Sequence, residues 1–169
     1  MLRLMGAICL AGGCAWAGFQ ASAVLRGRVR ALHAMEAGLL VLEQELELEA
    51  WSLPQLMERL EERSQGTAKT IFSGCRDGLD RLDQEDFSSL WRRLVLERRE
   101  LGADGQDSLA PLGETLGRCD SQAQCRAVRA VRNRLKELQA RAEEDSRSQG
   151  KVCQVLGLSG GAFLVILLL

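Results

Sequence analysis

The residues that could do chemistry are few, and their spacing does not assemble them. The 169-residue chain has one histidine, His33, and six cysteines: Cys9, Cys14, Cys75, Cys119, Cys125 and Cys153. Cys119 and Cys125 are six positions apart, with no histidine nearby and no second pair, so the spacing of a tetrahedral metal site is missing. The other thiols are scattered and fit small buried side chains better than a disulfide framework. A nucleophile at Cys119 or Cys125 would need a base, and none lies close in sequence. No P-loop, HExxH, GxSxG or GxGxxG occurs. Carboxylates abound, but an acid–base pair needs a pocket that perturbs one partner, and nothing marks one. A net charge of -1 leaves no basic footprint for nucleic acid. The expectation is a protein that is not an enzyme, with no cofactor, no metal and no small-molecule substrate. His33 is expected to be a surface or interfacial side chain.

Two clusters are candidates for binding a partner. Glu43, Glu45, Glu47 and Glu49 crowd one predicted helix, and Glu43/Glu47 and Glu45/Glu49 are like-charge pairs at i,i+4. Each such pair costs a few tenths of a kcal/mol in isolation, which a basic neighbour would relieve. That neighbour could be a docked protein or another helix of the same chain. The second cluster is Gly113-Glu114-Thr115-Leu116-Gly117, with two glycines around one helical turn. It predicts either a short connecting helix, closely packed at Gly113 and ended by Gly117, or a contact surface that presents Glu114.

The elements that must position these clusters are helical. Tyrosine is absent, aromatics are 4% of the chain, and Leu, Ala, Glu, Arg and Gln dominate, which is a helix-forming composition. Leu4–Leu25 is 22 residues without a charge, enough to cross a bilayer core as a helix. Arg26, Arg28 and Arg30 follow it and would hold the next segment in the cytoplasm. Ala7, Ala11, Cys14 and Gly18 form a small-residue ridge that could meet another membrane helix.

Beyond the first stretch, Leu32, Met35, Leu39, Leu42 and Leu46 step by 3 and 4, so the helix is predicted to continue with one buried seam. Ser52-Leu53-Pro54-Gln55 restarts a second helix, ending near Gly66. A third is predicted from Thr67 to Leu79, weakened by Gly74 and Gly78. A fourth, capped by Asp83 or Asp86, is ended by Gly102–Gly105, and a short helix follows over Ser108–Leu116. The last long helix starts at Asp120 or Ser121. It carries Cys125, Val128, Val131, Leu135, Leu138 and Ala142 on one side and Arg126, Arg129, Arg132, Arg134, Lys136 and Arg141 elsewhere. Val152–Leu169 is a second uncharged stretch, of 18 residues, with a GxxxG spacing at Gly157 and Gly161. The two long helices are expected to pack antiparallel, leucine seam on leucine seam, with acidic and basic flanks matched.

The predicted architecture is therefore all-α: a bundle of about six helices between N- and C-terminal transmembrane helices. The divisions are a span over 1–25, a cytoplasmic bundle over 26–151, and a second span over 152–169. A competing expectation is an exported or lipid-anchored helical protein whose opening segment is a signal. Ala11-Gly12-Gly13-Cys14 is the nearest lipobox, with alanine where leucine is usual.

LGETLGRCD, Leu112–Asp120, resembles the most distinctive segment of the stage III sporulation protein AB family. MLRLMGAICLAGGCAWAGF at the start, LLVLEQELELEAWSLPQLMERL, and GLSGGAFLVILLL at the end are similar to three further segments of that family, in the same order. One departure is Ala50-Trp51-Ser52, where the family has a small or tyrosine residue and a threonine before the proline. The resemblance implies a subunit of the channel assembly between mother cell and forespore, seated in the mother-cell membrane. It implies a soluble domain similar to the cytoplasmic six-helix domain of the type II secretion platform protein. The implied partners are the other stage III sporulation channel proteins, including an AA-type cytoplasmic ATPase, together with ring-forming membrane components. Glu43, Glu45 and Glu49, with Gly113, Glu114 and Gly117, are then candidates for the face that meets the ATPase.

Overall fold

The computed structural model describes the backbone of residues 2–48, 51–79, 86–116 and 120–168, and the side chains of 23–48, 51–79, 86–116 and 120–148. The described residues form seven α-helices and no strand. α1 spans Leu2–Leu48 without interruption, so the predicted continuation past the apolar stretch is observed. α7, Ser121–Leu168, is equally continuous and runs through Gly150 into the second apolar stretch. The chain divides into two compact units, Met1–Gly27 with Arg141–Leu169, and Arg28–Ala140. Among the described residues no helix is long and apolar enough to cross a membrane. Most of the two predicted spans, 1–25 and 152–169, falls on side chains outside the described set.

Within Arg28–Ala140 the α1 seam behaves as its spacing requires. Leu32, Met35, Leu39 and Leu42 are fully buried, as are Val128 and Leu135 of α7, while Leu46, Cys125 and Val131 of the predicted seams are half-buried. Each fully buried leucine contributes about 2 kcal/mol relative to leaving it in water, so this seam outweighs the charges beside it. Ser52 and Pro54 start α2, Leu53–Arg63, as predicted. The Ser52 N–H donates to Gln55 Oε1 at 3.3 Å, satisfying one of the donors that a helix start leaves over. Trp51, the residue unusual for the restart, lies under Arg59, whose guanidinium carbon is 3.9 Å from the ring centroid.

Gly66 takes φ +57 and opens α3, Gly66–Gly78. Its glycines are contact points rather than weak points. A Cβ at Gly74 would lie 2.8 Å from a Leu94 methyl, and one at Gly78 would lie 2.5 Å from a Leu90 methyl. These leucines belong to α4, Phe87–Glu97, which is capped by Asp86; Asp83 lies outside the described residues. On α1, a Cβ at Gly38 would meet the Ala68 Cβ at 2.6 Å, so α1 and α3 touch almost backbone to backbone.

The region after α4 differs from expectation. The helix ends at Glu97, a single 3-10 turn covers Arg99–Leu101, and Gly102–Leu109 is itself a helix, α5. Gly102–Gly105 was expected to end α4 and instead begins the next element. Gly102 makes the turn at φ +70, and buried Leu101 and Leu109 pin the short helix to the core. The predicted helix over Ser108–Leu116 is divided into the end of α5 and one further turn, α6, Leu112–Thr115. Gly117, the expected terminator, lies outside the described residues.

At the centre sits Trp91, fully buried between Phe72 and Phe87, with ring centroids at 6.3 and 6.4 Å. Its indole N–H donates to the Leu109 carbonyl at 2.8 Å, so the one polar atom of the ring is satisfied.

Candidate functional site

Helical geometry sorts the acidic cluster before any partner is considered. Successive residues turn by about 100°, so Glu36, Glu43 and Glu47 share one side of α1 while Glu45 faces nearly the opposite way. The structure follows that phase. Arg129 of α7 approaches Glu43 Oε1 at 2.6 Å and Glu47 Oε1 at 3.1 Å. Arg132 Nη1 lies 2.8 Å from Glu43 Oε2, and Lys136 Nζ lies 3.5 Å from Glu36. Glu45 is clamped from α2 instead, by Arg63 and by Arg59 at 3.7 Å.

Glu43 and Glu45 are only 5% and 1% exposed. A carboxylate removed from water to that degree requires a counter-charge, and each has two. Of the two accounts for the acidic cluster, the geometry of these residues is that of internal pairing. The clamp on Glu45 comes from α2 and not from the basic last helix that the sequence pairs with the acidic cluster. The offset of two positions from Glu43 was the signal that Glu45 needs a different partner. Glu49 lies outside the described residues.

The hydrogen bond and charge of Glu43 raise the Arg129 pKa above its ordinary value. Cys125, on the same seam, is raised first by partial burial and then by the nearby Glu47 and Glu43. Cys75 of α3 is pushed up to about 12 by burial alone. Both thiols therefore stay protonated at neutral pH, opposite to an activated nucleophile. His33 is exposed. Among the described residues no group of three histidine, cysteine, aspartate or glutamate side chains could hold a metal ion.

The GETLG cluster divides differently. Gly113 is buried, and a Cβ there would lie 2.7–2.9 Å from Trp91 Cδ1, Cβ and Cγ. Its close packing is thus explained by the central tryptophan. Glu114, one residue on, is exposed.

Comparison with known proteins extends over the whole chain. Residues 3–169 match the family described as Stage III sporulation protein AB. The chain is similar to Stage III sporulation protein AB of Bacillus subtilis (strain 168), at 26% identity over 176 residues covering 100% of each. A solved structure of a Stage III sporulation protein AB superimposes with a TM-score of 0.61 at 22% identity, covering 72% of this chain and 97% of that one. That last likeness establishes a shared fold.

Proposed function

This chain belongs to the Stage III sporulation protein AB family, which gives it a role in sporulation, and from that premise we propose that it is a non-catalytic, membrane-anchored scaffold subunit. In this reading the terminal stretches are two spans, and the Arg28–Ala140 bundle stands in the mother-cell cytoplasm. The bundle links a cytoplasmic ATPase to ring-forming membrane components of the channel between mother cell and forespore.

The observation that carries the reading is the grouping of the two chain ends. Met1–Gly27 and Arg141–Leu169 form one compact unit, and each contains a long uncharged stretch. Two such helices side by side suit a bilayer, where backbone groups must be satisfied internally. Arg26, Arg28 and Arg30 supply the positive charge expected on a cytoplasmic flank. A bundle whose buried carboxylates are neutralised internally suits a rigid platform.

The anchor is tested on the mature protein. An intact Met1 and extraction only by detergent are expected, while a cleaved or acylated Cys14 would establish an exported lipoprotein instead. Orientation is tested with Lys69→Cys, at an exposed position of α3. A membrane-impermeant thiol reagent added to intact cells should leave it unlabelled, and labelling would reverse the topology. For docking, Glu114→Arg should abolish co-purification of the ATPase at unchanged melting temperature, since Glu114 is exposed. Glu45→Arg should instead lower the melting temperature. Full ATPase capture by Glu114→Arg would remove that residue from the docking face.

A further inference from the structure

Internal pairing leaves a remainder of charge, and its distribution is uneven. On α2, Arg59 and Arg63 are drawn to Glu45, and Glu61 pairs with Arg76 of α3. What remains on the solvent side of α2 is Glu58 and Glu62, both exposed and one helical turn apart. On α4, Arg92 is exposed, Arg99 is exposed just past the helix end, and Leu96 stands between them in sequence, 48% exposed. Among the described residues Glu58, Glu62, Arg92 and Arg99 have no ion-pair partner. Arg93 is already engaged.

The helices that carry these faces, α2 and α4, lie on opposite sides of α3. Gly74 and Gly78 receive the α4 leucines, whereas Arg76 points the other way to Glu61 of α2. One chain therefore presents an acidic face on one flank and a basic face with an apolar centre on the other. Faces that are complementary but not identical make a heterologous contact, which repeats from copy to copy. We propose that copies of this chain associate head to tail, with Arg92, Leu96 and Arg99 of one copy against Glu58 and Glu62 of the next.

Three features support a second copy as the occupant. The two faces are opposite in sign, neither has an ion-pair partner among the described residues, and their placement across α3 lets one copy use both at once. Like charges held one turn apart, as at Glu58 and Glu62, gain from an opposite charge brought between them. Leu96 adds apolar area that the contact would remove from water.

The test is a charge exchange on the full-length chain in mild detergent, followed by sedimentation and chemical cross-linking. The wild-type chain should associate, more strongly at low salt than at high. R92E/R99E and E58R/E62R should each weaken association by about tenfold or more, because like faces then meet. Their melting temperatures should stay unchanged, since none of the four side chains has an ion-pair partner among the described residues. Mixed in equal amounts, the two variants should associate again, because each now offers the face that the other requires. A wild-type chain that remains monomeric overturns the proposal, as does a mixture that fails to recover. In the latter case the α4 face serves an acidic partner of another sequence.

Discussion

The α1–α7 seam and the α3–α4 contact hold the same bundle by opposite means. Along the seam, leucines are flanked by ion pairs: Arg129 and Arg132 on Glu43, and Lys136 on Glu36. Between α3 and α4 the approach is set by glycines, Gly74 and Gly78, with leucine methyls occupying the space where a Cβ would be. Charges act over several ångströms and tolerate small shifts, so they select which helix pairs with which, and in which register. A glycine contact acts only at van der Waals range, so it sets how closely two neighbouring helices approach. The partner that is far in sequence is selected by charge, whereas the partner next in the chain needs only shape.

Substitutions separate the two means. Trp91→Ala, at the shape-determined centre, should cost about 3–5 kcal/mol through the cavity it leaves, read as a lowered denaturant midpoint. A loss under about 1 kcal/mol would show that this region is not the core. Gly113→Ala should cost about 2–3 kcal/mol, because its Cβ meets the rigid indole of Trp91. Gly78→Ala should cost less, since the opposing Leu90 methyls can swing aside.

On the seam, Glu43→Ala should cost about 1–3 kcal/mol, below the usual figure for a broken buried pair because solvent reaches Arg129. The double variant Glu43→Leu/Arg132→Leu should recover much of that loss, which would locate the value of the pair in register rather than in stability. If it stays as destabilised as the single variant, the seam depends on charge more than this comparison allows. One further effect is absent at neutral pH and visible only in alkali. The Cys75 thiol is raised from 9.0 to about 12. It favours the folded state fully below pH 9.0 and ceases to do so as pH climbs toward 12, because the unfolded chain ionises first. Cys75→Ala should flatten that decline in a pH series of unfolding midpoints, without altering the contribution of the seam.

Periodicity made the seam legible: a 3-and-4 step of leucines and a matched acidic and basic helix were sufficient to pair α1 with α7. The restart at Ser52–Pro54 was equally clear, because capping is a local interaction. Glycine was the ambiguous letter. Gly74 and Gly78 looked like helix-weakening residues but are where α4 approaches, and only the three-dimensional neighbour reveals that. Gly102–Gly105 looked like a terminator, and the tertiary burial of Leu101 and Leu109 makes a helix of it. For the candidate site, the composition of the acidic cluster was visible, but its division between two partners depended on helix phase.

The Glu43–Arg129 contact joins residues 86 positions apart. During synthesis, at about 5–20 residues per second, α1 emerges on the order of ten seconds before the arginines that neutralise it. For that interval Glu36, Glu43 and Glu47 are solvated, and the side of the leucine seam that α7 later meets has no cover. The same charges that later set the register keep this early segment repellent to its own copies on neighbouring nascent chains. The charged flank of the seam thus acts twice in time, first keeping α1 solvated and then setting the register on α7.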